Sequence, residues 1–404
     1  MQVHKTLSNM AWVSMLLSMT LSNPLAAAPG DMVQPYIAGS VTYDDNLLRI
    51  SGDTDPVVAT GQSSISDTLK RSTLGLKIDW KQSRQQLIFD AAIHETRFSR
   101  FTSLNYQGKD MLARWNWQLG NSLSGAAGYT KKTTLGSFAE KQRLVNNIGT
   151  QQQQFFNSAW QVLSNWRVAG GASRNTYRDQ STPTLDNVIT SYDAAVIFMP
   201  RSGNEFGLRQ FHITGKYKVP EIFSGVAVDN GYSQDQLLAT MDWLYSGHIR
   251  VTGQAGVVSR THNQVSARDF SGNTMRATVN WFTSGKSRIE LGLWNEIDAY
   301  DDLTTSFTEN KGSSLGASWE LSSKFSVSAL LKRSKREFLG DPGMVLAPQA
   351  TRVDTVKSSS LSLAYQTSSA INISATVQAE KRSSNRAFID YQANTYNLSA
   401  SFRF

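Results

Sequence analysis

Apolar residues recur at every second position through most of the chain, in stretches of about ten residues, with small or polar residues between them. In the last stretch Tyr396, Leu398, Ala400, Phe402 and Phe404 share one parity, and Asn397, Ser399, Ser401 and Arg403 share the other. Just upstream, Ile371, Ile373, Ala375, Val377 and Ala379 alternate with Asn372, Ser374, Thr376, Gln378 and Glu380. Comparable runs are Met111-Ala113-Trp115-Trp117-Leu119, Met275-Ala277-Val279-Trp281, Ile289-Leu291-Leu293 and Leu315-Ala317-Trp319-Leu321. A period of two belongs to strands with unlike faces, here one for lipid and one for a wet lumen.

Taken in order, the runs predict an all-β chain, a transmembrane antiparallel up-and-down outer-membrane β-barrel of about eighteen strands, with sixteen as the neighbouring even count. The predicted spans are 33–44, 67–80, 85–99, 108–119, 122–134, 148–161, 166–178, 186–199, 205–218, 235–245, 248–261, 272–283, 287–299, 312–321, 325–337, 355–366, 370–383 and 392–404. Short turns such as Gly120-Asn121 and Ser246-Gly247 then follow the even strands. Longer loops, including 45–66, 219–234, 300–311 and 338–354, follow the odd ones. Short periplasmic turns and long external loops are the expected asymmetry, and an even count leaves both termini in the periplasm.

Two independent signals agree with this segmentation. Proline cannot donate to a ladder, and Pro56, Pro183, Pro200, Pro220, Pro342 and Pro348 fall in loops or turns, with Pro35 at the start of the first strand. Trp80, Trp160, Trp166, Tyr245, Trp281, Trp319, Phe325, Tyr365 and Phe404 collect at the short-turn ends. Tyr43, Phe98, Tyr177, Tyr192, Tyr300 and Phe338 lie near the long-loop ends, so the sequence predicts two aromatic belts. A soluble β-sandwich with aromatic core residues is the competing reading, but it has no reason to sort aromatics by turn length. The final strand must pair with the first, because an open edge in hydrocarbon leaves backbone groups unsatisfied. Its ending on Phe404 resembles the C-terminal signal read by the outer-membrane assembly machinery.

Composition narrows the picture further. The 404 residues include no cysteine, hence no disulfide framework or thiol chemistry. His4 and Lys5, an apolar segment from about Met10 to Leu21, and Ala26-Ala27-Ala28 have the layout of a secretory signal peptide. The expected organisation is therefore a signal peptide at 1–28 and a single barrel at 29–404. No later run of about 18 apolar residues offers a transmembrane helix. The formal charge of +8 is spread without a dense basic block, which argues against nucleic acid as a partner.

No catalytic constellation emerges, and no enzyme activity is expected. His94, His212, His248 and His262 are scattered over different strands and turns. Asp44-Asp45-Asn46, Asp53–Asp55 and Asp301-Asp302 are acidic loop clusters, but none has an EF-hand spacing, and no metal or other cofactor is expected. Strand parity instead turns a polar, mixed-sign set toward the lumen: Lys77, Arg114, Asn116, Arg250, Arg276, Arg288, Glu290, Glu296, Glu320, Lys332, Glu380 and Arg382. Asp79, Gln118, Gln254, Asn280 and Gln378 join them, with Phe282 and Trp294 as inward rings. Such a wall suits weak sugar binding or an ordinary aqueous pore, and about eighteen strands leave room for a channel. The parity of the third and ninth strands is ambiguous in the sequence.

At Tyr43-Asp44-Asp45-Asn46-Leu47-Leu48-Arg49 the chain resembles β-barrel porins encoded with bacterial exopolysaccharide operons. More narrowly, the full mature length resembles the EpsL-type outer-membrane proteins of exosortase (PEP-CTERM) loci. The resemblance implies a part in exopolysaccharide biosynthesis or export, with outer-membrane lipid and a polysaccharide or other polar solute in the lumen as partners. It also implies periplasmic or inner-membrane polysaccharide synthesis and export proteins as neighbours, and it carries over no catalytic residues. The alternative is a general or solute-selective porin, followed by a barrel enzyme or an adhesive barrel acting through its loops.

Overall fold

The computed structural model describes residues 32–223, 226–300, 305–341 and 350–404. The signal-peptide expectation, Asp301-Asp302, Pro342 and Pro348 lie outside these residues. Eighteen strands form one antiparallel sheet: β1 Val33–Asp44, β2 Asp67–Gln82, β3 Gln85–Phe98, β4 Tyr106–Leu119, β5 Leu123–Leu135, β6 Ile148–Leu163, β7 Trp166–Asp179, β8 Asn187–Phe198 and β9 Glu205–Tyr217. The second half comprises β10 Tyr232–Ser246, β11 Ile249–His262, β12 Phe270–Ser284, β13 Ser287–Ala299, β14 Phe307–Glu320, β15 Phe325–Leu339, β16 Val353–Gln366, β17 Ile371–Ser384 and β18 Tyr391–Arg403. Each strand pairs with the next, and β18 pairs back onto β1 from Tyr36↔Arg403 to Asp44↔Thr395. The Phe404 amide donates to the Pro35 carbonyl at 3.0 Å and finishes the seam. The sheet is therefore a closed barrel without an edge, and every predicted span corresponds to one of its strands.

Its outer surface is apolar because the period-two pattern is turned outward. Leu74, Leu208, Leu361 and Leu398 are each more than half exposed, on strands distributed around the ring. In register these positions form rows, such as Leu331↔Leu315↔Leu291 on three neighbouring strands. On the opposite parity, glycines allow inward rings to lie flat on the wall. Tyr36 covers Gly75 across the β1–β2 ladder, and Trp294 covers Gly312 across β13–β14. A Cβ at either glycine would collide with the ring above it.

Two expectations need correction. The belt at the short turns holds, with Trp160, Tyr245, Trp281, Trp319 and Phe404 exposed on the outer face. The belt at the long-loop end does not: among its expected members only Tyr43 and Tyr192 are exposed outward, while Phe98, Tyr300 and Phe338 are buried and Tyr177 bonds to Asp179. Nearness to a loop places a ring at a height, but parity decides its face, and these four turn inward: Phe98 joins the apolar core of Leu47, Leu48 and Ile50, and Tyr300 packs edge-on against Phe338. The second difference is that several strands continue past their predicted starts; β14 begins at Phe307 rather than 312, and β10 at Tyr232 rather than 235. Outward positions there are polar, as at Glu309 and Lys311, so pairing persists where the hydrophobic alternation has ended.

The loops after odd strands carry the remaining structure. A short helix α1, Pro56–Thr60, is capped by the Asp55 carboxylate accepting the Val57 amide at 2.8 Å and ended by Gly61 at φ 71°. A small hairpin pairs 221–223 with 226–228 in the loop after β9.

Candidate functional site: a loop-narrowed lumen

The inward parity gathers polar side chains into clusters at successive heights. At the short-turn end, Gln86 Nε2 donates to Asp79 at 2.7 Å, Asn116 donates to Gln86 at 3.1 Å, and Arg114 Nε donates to Asn116 at 2.7 Å. These residues sit on β2, β3 and β4, so one hydrogen-bonded chain spans three strands. On β10 and β11, Arg250 grips Asp242 with two bonds of 2.7 and 2.5 Å. Lys77 stands directly across the ladder from Asp90, which fixes the inward parity of β3 that the sequence leaves ambiguous.

Higher in the barrel, Arg276 holds Glu296 through bonds of 2.8 and 2.6 Å, a bidentate match of guanidinium and carboxylate. Arg276 and Lys332 also approach the Trp294 ring, at 5.5 and 5.0 Å from its centroid. This cluster, drawn from β12, β13 and β15, is the densest meeting of charges and an aromatic ring among the predicted inward residues. Arg288 stands 3.9 Å from Glu290, and Glu320 is exposed at the short-turn end. Glu380 accepts the Tyr391 hydroxyl at 2.6 Å.

At the long-loop end two loops turn inward. The residues Asp44 to Arg49 act as the brace for the first: Asp44 accepts from the Asn46 amide at 3.0 Å and from Arg49 at 2.8 Å. Asp45 clamps Asn394 on β18 through two bonds of 2.7 Å. The acidic cluster is thus committed to backbone and side-chain donors. Leu47, Leu48 and Ile50 then pack with Phe98, Phe101, Leu104 and Phe138 in a small buried apolar core between loops. Here, among the described residues, aliphatic and aromatic side chains pack into a contiguous core as they would in a soluble protein.

Phe138 belongs to the second loop, 136–147, between β5 and β6. Glu140 of that loop reaches Arg352 at 3.0 Å, Arg382 at 3.1 Å and Arg336 at 3.7 Å. Arg382 also donates to the Ala139 and Ile389 carbonyls at 2.6 and 2.9 Å. Because β5–β6 and β15–β17 are far apart around the ring, and Arg336 and Arg382 share the inward parity of Lys332 and Glu380, the loop spans the interior. Gln142 fastens it to the first loop by donating to the Arg49 carbonyl. Both residues have left-handed backbones, φ 57° at Arg49 and 45° at Gln142, a strained choice for side-chain-bearing residues that the contact holds in place.

The charges of this tie are set by each other. Burial alone would push the Glu140 carboxyl up, but Arg352, Arg382 and Arg336 together hold it below the usual carboxylate range. Burial would lower the Arg352 guanidinium, which Asp354 and Glu140 instead keep more firmly protonated than usual. The neighbouring Lys141 ammonium is lowered by burial, partly opposed by Asp179 at 3.9 Å.

Of the residues singled out in sequence, the structure brings Arg276, Glu296, Lys332 and Trp294 together, and it joins Glu380 and Arg382 through Tyr391. Arg114 with Asn116, Arg250 and Arg288 with Glu290 belong to separate clusters. Glu140, Arg336 and Arg352 are absent from the sequence reading. Arg336 shares the parity of Lys332 and was within reach of the same argument. Glu140 and Arg352 sit in aperiodic loop sequence, where no spacing announces a partner on the far wall.

A family model described as "Putative beta-barrel porin 2" matches residues 244–404, the C-terminal part of the barrel. No curated protein is significantly similar to the chain. Among solved structures, the chain is similar to OccAB3 of Acinetobacter baumannii, with TM-score 0.52 and 8% identity over 92% of this chain and 99% of that one. It is similar to OccK9 (OpdG) of Pseudomonas aeruginosa, with TM-score 0.53 and 11% identity over 92% and 98%. OpdK of P. aeruginosa, solved with vanillate, gives TM-score 0.50 and 10% identity over 92% and 99%. At these identities the likeness is one of fold.

Proposed function

We propose that this chain is a passive channel of the Gram-negative outer membrane, selective for small polar solutes, with both termini periplasmic after removal of residues 1–28. The observation that carries this reading is the inward tie of loop 136–147, which spans the interior of an otherwise wide barrel through Glu140 and three arginines. A barrel of eighteen strands has space for an aqueous lumen, and a loop fixed across it sets the size and charge of what passes. The solute path runs past Arg276, Glu296, Lys332 and Trp294, where an ion pair and a cation-lined ring offer weak, reversible contacts to a carboxylate or a hydroxylated ring. The family model's description and the fold likeness to Occ channels, one of them solved with vanillate, support the same reading.

Planar-bilayer recording tests it. The refolded chain is expected to give discrete conductance steps, with ion selectivity shifted toward cations by Arg114→Glu and by Arg276→Glu. A chain that inserts without conducting overturns the channel reading.

A second reading places the channel in exopolysaccharide biosynthesis, as a conduit or export-support pore beside periplasmic and inner-membrane synthesis proteins. It is favoured by the Tyr43–Arg49 resemblance, whose Asp44, Asp45 and Arg49 brace the inward loop. Quantifying secreted polysaccharide from a deletion strain decides it: undiminished secretion sinks this reading and leaves the solute channel standing.

A further inference from the structure

The outer face of β15–β17 carries a feature the channel reading does not use. Arg333, Lys357 and Lys381 are directly opposite one another in register, Arg333↔Lys357 on β15–β16 and Lys357↔Lys381 on β16–β17. All three have the parity of the exposed Leu331, Leu361 and Val377, so they point away from the lumen, and all three are exposed. Like charges facing each other across a ladder, with Cβ atoms about 5 Å apart, repel and destabilise the pair. Here the repulsion is repeated over three strands, and among the described residues none of the three forms an ion pair. The neighbouring outward lysines are neutralised: Lys311 pairs with Glu309 at 2.9 Å, and Lys335 with Glu337 at 2.6 Å. The unpaired row is therefore set apart from its surroundings.

Its height is equally specific. Below the row lie Leu331↔Ser359↔Ala379, then Ala329↔Leu361↔Val377, and the apolar band continues down to the stacked rings of Phe325 and Tyr365 at the short-turn end. From Phe325 to Arg333 the strand rises about 20 Å, taking about 3.3 Å per residue and a tilt of about 40°, against an apolar band of about 25 Å in such barrels. The cations thus crown the lipid-facing surface where an outer leaflet's headgroups begin. A groove runs from them down over Leu331, Leu315 and Leu291, floored by the small residues Ser313, Ser359 and Ala379.

Resting on the membrane reading above, we infer that Arg333, Lys357 and Lys381 form a binding site for the phosphate groups of an outer-leaflet glycolipid, whose acyl chains lie along the aliphatic groove. A phosphorylated lipid supplies what each half of the site lacks: negative charge for the cationic row and hydrocarbon for the leucines. Free phosphate satisfies only the first.

Native mass spectrometry of the detergent-solubilised, folded chain tests this, with bis-phosphorylated lipid A, its dephosphorylated form and inorganic phosphate as probes. The wild type is expected to retain lipid A, and the Arg333→Gln/Lys357→Gln/Lys381→Gln variant to retain it about tenfold less or weaker still. The Lys311→Gln/Lys335→Gln variant, which changes equal chemistry at paired positions, is expected to bind as wild type. Equal retention by the triple variant, equal retention of the dephosphorylated lipid, or retention of inorganic phosphate in place of the lipid overturns the inference. Heat-modifiable gel migration, expected in all variants, shows that the barrel is intact. Normal conductance with failed lipid retention removes this site alone, whereas a wild-type chain that does not enter bilayers removes the membrane reading and the site with it.

Discussion

Glu140 sets one carboxylate against three guanidinium groups, and its side chain is only 14% exposed. Removing one partner of a buried charge cluster leaves the others unsatisfied, a loss of about 3–5 kcal/mol in comparable sites. Here the loss falls on a loop rather than on the barrel. Glu140→Gln is accordingly expected to leave heat-modifiable migration unchanged while raising single-channel conductance and opening the 136–147 segment to protease. An unchanged conductance would show that the loop does not narrow the path. Acid should act in the same direction. The folded-state carboxyl is held below its usual range, so the tie stabilises the loop fully above that range and loses its hold as pH falls through the lowered value. Conductance recorded on a descending pH series should therefore stay flat through the ordinary carboxylate range and rise only below it, and the rise should be missing in Glu140→Gln.

On a single strand, faces rather than composition decide what a substitution does. Leu361 on β16 is half exposed on the outer surface, and Ser360 beside it turns inward. A cation at the lipid-facing midplane costs about 2–4 kcal/mol, whereas a lumen position is hydrated. Leu361→Arg is thus expected to lower the denaturant midpoint of the barrel in lipid by an amount of that order, and Ser360→Arg to leave it nearly unchanged while shifting ion selectivity. Equal destabilisation by both would mean that the parity is misassigned. Such parity is what the sequence made readable in β17 and β18. The same logic failed for Phe98, Tyr300 and Phe338, whose position near loops suggested a belt although their side chains are buried on the inward parity. Period two identifies opposite faces, and it names the outer one only where a long apolar row accompanies it.

The ring as a whole stands or falls with the seam between β1 and β18. Gly39 and Ala400 face each other in that register. The chain contains no cysteine, so Gly39→Cys with Ala400→Cys introduces one defined pair. Oxidation is expected to close an intramolecular disulfide only in the folded barrel, visible as a chain that stays compact on a denaturing gel after boiling. A Gly39→Cys/Ser399→Cys pair, shifted by one residue and thus facing opposite sides, should link far less. If the two pairs link equally, the closing register is wrong.

The sequence alone set the strand count to about eighteen, the order of turns and loops, and the outer face of all but the third and ninth strands, because a lipid-facing surface imposes a repeated rule and writes it locally. It also marked the inward clusters on β12, β13 and β15, since they follow from the same parity. Only the tertiary structure decided what fills the mouth of the barrel. Glu140 meets arginines more than 190 residues away, through a loop whose polar, aperiodic sequence obeys no rule that could be read in advance. A wall repeats, so its sequence repeats. A tie across the lumen is made once, by residues that become neighbours only after the sheet has closed.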